Sequence, residues 1–135
     1  MNETTFKLQG VMYSARKLDA LGQFALARRL APVLAVLAMG ERATVQVRFA
    51  QSFCALTAQM AESEAQAIVL DCLATLERQH ENTYSPVVAG GTIMFADVAD
   101  DLGLALQLVF RALEAQKLID FFTVPPSGSK AKPKG

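Results

Sequence analysis

Catalysis by a small protein usually runs through a histidine beside a nucleophile, and His80 is the one histidine in this chain. It sits among Gln79, Glu81 and Asn82 at the end of a helical pattern, where a solvated or capping imidazole suits the negative end of the helix. Cys54 and Cys72 are too few for a disulfide framework or a four-ligand zinc site. Both fall on apolar helix faces and read as reduced, buried small hydrophobes. Asp97, Asp100 and Asp101 could be imagined as metal ligands, but their spacing at a helix start fits capping and dipole matching better. Gly90-Gly91 is not followed by Gly-Lys-Ser/Thr, so it reads as a turn and not a phosphate cradle. No catalytic residue, metal site or cofactor is expected, and an enzyme is the weakest candidate.

The elements that carry these residues are mostly helical in pattern. Residues 5–14 form a hairpin, with Gln9-Gly10 as a two-residue loop that sets Leu8 against Val11 and Phe6 against Tyr13. A helix begins at Asp19 as N-cap and runs through Leu21, Phe24, Leu26, Leu30, Leu34 and Leu37 to a stop at Gly40. Pro32 predicts a kink or a break into two helices. Val45, Phe49, Phe53, Leu56 and Met60 mark a helix over about 43–61. Ser63 and Gln66 suggest a capping box opening a helix over about 64–79, antiparallel to the one before. Residues 80–93 are turn-rich, with strand character at Val87-Val88 and from Thr92 to Phe95; one or two short strands there could pair with the hairpin. The last helix follows Asp97–Asp101 and runs to about Phe122. The expected fold is mainly α, with about four to five helices, a short N-terminal hairpin and one possible added strand near 85–95.

With 135 residues the chain has the length of one domain, taken as 1–123, followed by a basic tail over 124–135 that reads as disordered. Its 13 basic and 13 acidic residues balance, which argues against phosphate-driven nucleic-acid binding. The start lacks a secretory pattern, and the apolar run over 30–39 is too short for a membrane span. The chain therefore reads as cytosolic.

What stands out is an apolar surplus: 52% of the residues are hydrophobic, and the 102–110 run is apolar almost all round. Such a helix is buried on most sides or covered by a partner. The basic residues Arg16, Lys17, Arg28 and Arg29 form a solvated face or rim an apolar docking surface; nucleic-acid binding, the third option, is disfavoured because the surrounding field is not basic and no aromatic residues interleave. Phe24, Arg28 and Arg29, with Leu104, Leu108, Phe121 and Phe122, are the candidate residues for a partner or self-contact surface.

Two stretches carry a family resemblance. One is Lys17-Leu18-Asp19-Ala20-Leu21-Gly22-Gln23-Phe24, continuing through Ala27-Arg28-Arg29-Leu30-Ala31-Pro32-Val33-Leu34 just after the hairpin. The other is Met94-Phe95-Ala96-Asp97-Val98, followed by the apolar helix that ends in Phe121-Phe122. Their order and spacing resemble the tail assembly chaperones of tailed bacteriophages and prophages, over about residues 5–123. The resemblance implies a mostly helical protein that binds the tape measure protein and keeps it soluble while the tail tube assembles. It also implies self-association, action in the host cytoplasm and absence from the mature virion. Many such proteins are made in two lengths by frameshifting, and the basic tail is where an extension would begin. The family offers no catalytic residues to carry over. The alternatives are a phage structural component, such as a tail completion or head–tail connector protein, and a small helical regulator.

Overall fold

Gln9 and Gly10 lie at φ 52° and 81°, the paired positive values of a tight hairpin turn whose twist matches its strands. β1 (Glu3–Leu8) and β2 (Val11–Arg16) accordingly pair antiparallel, with Phe6 opposite Tyr13 and Leu8 opposite Val11. This is the expected register, extended outward to Glu3 opposite Arg16. The Phe6 and Tyr13 rings stack at 5.5 Å. The computed structural model describes residues 3–118.

β2 is buried along Tyr13, Ser14 and Ala15, so the backbone groups of its second edge cannot be left to water. They are met by β3 (Leu76–His80), which sets Tyr13 opposite Arg78 and Ala15 opposite Leu76. β3 then carries β4 (Thr83–Pro86), giving a four-stranded antiparallel sheet in the order β1-β2-β3-β4. β5 (Val88–Ala89) and β6 (Thr92–Ile93) form a separate two-stranded hairpin across Gly90-Gly91, both at positive φ. Val87 ties the two sheets together: its N–H donates to Leu76 O at 3.1 Å and its carbonyl accepts from the Met94 N–H at 2.8 Å.

This overturns the mainly α expectation. The described residues have an α+β fold, with 57% helix and 21% strand among them. The strand that extends the N-terminal hairpin is 76–80, which the helical pattern had claimed, and not a strand near 85–95. Leu76 satisfies a 3.6-residue repeat and a two-residue alternation equally well. The unpaired edge of β2 decides between them.

α1 (Ala20–Ala38) starts where expected: Asp19 Oδ1 accepts from the Gly22 N–H at 2.8 Å. It runs through Pro32 without the expected break into two helices. Pro32 lies on the exposed side, so the Arg28 carbonyl that loses its donor also faces water. Leu26, Leu30, Val33, Leu34 and Leu37 on the opposite side are buried and hold the helix to the core. Each such side chain contributes roughly 1.5–3 kcal/mol, against about 3 kcal/mol for a proline in a helix interior.

A 3₁₀ turn over Arg42–Thr44 leads into α2 (Val45–Thr57). α3 (Glu62–Leu73) starts at Glu62, so the Ser63–Gln66 box does not form; Gln66 instead donates to Glu62 Oε2 at 3.1 Å. α2 packs on α1 and α3 on α5, in place of the expected α2–α3 antiparallel pair. After the short α4 (Ala96–Ala99), Asp101 caps α5 (Leu102–Ala115) through the Leu104 N–H at 3.2 Å. α5 is the centre of the fold, burying Leu104, Ala105, Leu108, Val109, Phe110, Ala112, Leu113 and Ala115. Just beyond it, buried Gln116 accepts from the Leu18 N–H and donates to Arg16 O, both at 2.8 Å, joining the end of α5 to the β2–α1 link.

Candidate functional site

α1 has two apolar faces. Opposite its core-facing leucines, Leu21 (79% exposed), Phe24 (62%), Val36 and Met39 (85%) stand in solvent on one stripe, with exposed Ala25, Arg28, Pro32 and Ala35 between them. One buried stripe is all that an ordinary surface helix needs. In length and composition α1 also meets the bar for a membrane-crossing helix, a bar that core helices clear as well. Arg29 stands beside the stripe and pairs with Asp71 of α3 at 2.9 Å.

A second apolar surface lies between α2 and α5. The Phe49 and Phe110 rings meet at 5.6 Å, and above them a hollow of about 320 Å³ is lined by Val47, Ala50, Gly103, Leu106 and Gln107. A neighbouring hollow of about 190 Å³, bounded by Phe53, Cys54, Val69 and Leu102, meets it at Leu106. Together they make a groove along α2. Leu102, 70% exposed, stands at its rim because it is the first residue of α5, one turn before that helix enters the core.

Of the residues singled out from the sequence, Phe24 and Arg28 are exposed on the α1 stripe and Arg29 flanks it. Leu104 and Leu108 are corrected: both are buried in the core, since α5 is surrounded within its own chain. Phe121 and Phe122 lie outside the described residues, as does the 124–135 tail. The sequence reading missed Met39, Val36, Val47 and Leu102. The signal for the α1 pair was present, since they lie about half a turn away from Leu30, Leu34 and Leu37 on the helical wheel.

The polar clusters are accounted for by structure. Asp97 takes Arg78 Nη1 on both carboxylate oxygens, at 2.7 and 2.9 Å, and this bond holds its pKa below the ordinary value. Asp101 is a helix cap. Among the described residues no three His, Cys, Asp or Glu side chains gather as a metal site. Burial pushes the Cys72 thiol up to about 12, whereas Cys54 is exposed. Burial also raises Tyr13, with the Arg78 guanidinium opposing it. His80 is exposed at the end of β3, not at a helix end.

Among the described residues the site thus consists of two exposed apolar surfaces, with no metal-ligand cluster beside them. Neither the curated proteins nor the solved structures gave a match to this chain. A family does match, over residues 9–130, most of the chain. By that match the chain belongs to the phage tail assembly chaperone proteins.

Proposed function

We propose that the chain binds the tape measure protein of its phage and keeps it soluble while the tail tube forms, without catalysing a reaction. The observation that supports this is the α2–α5 groove with Val47 and Leu102 exposed along it. A long, largely helical client needs its apolar stripes covered before tube subunits enclose it, and a groove between two helices suits an amphipathic helix. Each leucine-sized anchor seated there contributes roughly 1.5–3 kcal/mol, so a few repeated modest contacts hold the client and still release it at assembly. On this reading the protein acts in the host cytoplasm, associates with other copies of itself, leaves nucleic acid alone and stays out of the finished particle.

The test is co-expression of the tagged chain with the tape measure protein from the same genome. The two should co-elute, and Leu102→Asp or Val47→Asp should cut the recovered client several-fold. Mass spectrometry of purified particles should find the chain missing. Its presence at structural stoichiometry would favour a tail completion or connector protein instead.

A further inference from the structure

We propose that the outer edge of β1 and a basic hollow beside it take an extended acidic peptide segment of a partner as an added strand. This site stands apart from the α2–α5 groove and does not depend on the client reading.

The hairpin sets out one edge for pairing. Its two-residue loop makes Leu8 and Val11 a hydrogen-bonded pair, and the register then bonds Phe6 to Tyr13 and Thr4 to Ala15 in the same way. Thr5 and Lys7, in the alternate phase, aim their N–H and C=O groups away from β2. The far side of the hairpin shows the same phase, since the Arg16 N–H turns from β1 and donates to Thr75 O at 2.8 Å. Among the described residues β2 is the one strand that neighbours β1. The main-chain groups of Thr5 and Lys7 are therefore a template for a further strand.

Beside that edge lies a hollow of about 250 Å³, between β1, the 3₁₀ turn and the end of α5. Among the described residues its lining carries three cations, Arg42, Arg111 and Lys117, against one carboxylate, Glu114. Arg111 is held in place: its guanidinium lies 5.2 Å from the centre of the Phe6 ring, and its Nη1 lies 3.8 Å from Glu114 Oε1. Arg42 and Lys117 are exposed, and among the described residues neither is in an ion pair. Lys117 stands at φ 64° just past α5, where glycine is the unstrained choice. Glycine would relieve that backbone, whereas lysine supplies the hollow's third cation.

A strand added to β1 sends alternate side chains, about 7 Å apart, towards the helical layer. Carboxylates at those positions meet the cations of the hollow. Main-chain bonds to Thr5 and Lys7 give affinity, and the cations give the preference for acid. A second copy's β1 would bring the same cations to the edge and be repelled, so the occupant is a chain of opposite charge.

The test uses the full chain and a fluorescein-labelled heptapeptide in which glutamate alternates with valine or threonine, read by fluorescence anisotropy. The peptide should bind, and raising salt from about 0.05 to 0.3 M should weaken it several-fold. Arg42→Ser with Lys117→Gly should weaken it about tenfold, with unchanged circular dichroism because glycine suits the backbone at 117. Arg28→Ser, which removes an exposed cation of α1, should leave binding as it is. Methylating alternate main-chain nitrogens of the peptide should abolish binding in one phase and spare it in the other, because a paired strand shows β1 every second N–H. Equal binding to the Arg42→Ser/Lys117→Gly variant, or equal binding of both methylated peptides, would overturn the proposal. So would no binding up to about 1 mM peptide, or full displacement by equimolar inorganic phosphate, which marks a site for small anions only. Each of these results leaves the client reading standing, since Val47 and Leu102 belong to the other groove.

Discussion

Arg78 Nη1 donates to both carboxylate oxygens of Asp97, at 2.7 and 2.9 Å, and ties strand β3 to helix α4. The same guanidinium lies 4.6 Å from the centre of the Phe95 ring and 6.0 Å from that of Tyr13. Arg78 is thus a bridge between the sheet and the helical layer, with its stem against apolar surface. Arg78→Ala should cost about 1–2 kcal/mol, mostly through the lost stacking and stem contacts. Asp97→Asn should cost less, because Asp97 is half exposed and such pairs contribute little. Denaturant melts of both variants and the double mutant measure the difference.

The same bond sets a pH dependence. Asp97 has a folded-state pKa below its ordinary value, so its contribution is full above the ordinary carboxylate range. It is lost as pH falls through the lowered value. Stability measured down an acid series should fall less steeply in Asp97→Asn than in the parent.

Two tight turns hold non-glycine residues at positive φ, Gln9 at 52° and Glu81 at 58°. Asparagine tolerates that region better than either residue. Gln9→Asn and Glu81→Asn should each stabilise the sheet by about 0.5 kcal/mol, read as a higher melting temperature.

Gln116 is a buried amide with both ends engaged, on Leu18 N–H and Arg16 O. Gln116→Leu keeps the volume but leaves a part-buried donor and a part-buried acceptor without their side-chain partner. A loss of about 1–3 kcal/mol is expected, together with faster hydrogen exchange at the Leu18 amide.

The two cysteines should separate cleanly by reactivity. Cys54 is exposed and should react at neutral pH, while Cys72, pushed up to about 12 by burial, should react only on unfolding. A thiol assay with and without denaturant should count one and then two. Because Cys72 is raised, its contribution to stability is complete below the ordinary thiol value and is lost as pH climbs towards 12.

Local chemistry made much of this fold readable. The Gln9-Gly10 hairpin register, the Asp19 cap and the Phe49–Phe53 stripe each depend on neighbours close in sequence. The β3 strand was not readable, because Leu76 fits a helix and a strand alike and only the distant edge of β2 chooses between them. The continuity of α1 through Pro32 was hidden for a similar reason: it depends on which side of the helix meets the core. The candidate surface was half legible. Phe24 and Arg28 stand on it, but Leu104 and Leu108 do not, since an all-apolar helix looks the same whether its own chain or a partner surrounds it.

The role proposed for this chain is to keep an aggregation-prone partner in solution. Its most direct measurement is the soluble fraction of the phage's tape measure protein, expressed alone, with the unmodified chain, and with Leu102→Asp. The unmodified chain should raise that fraction several-fold, and the groove variant, folded to the same extent, should not. An equal soluble fraction in all three expressions would contradict the account.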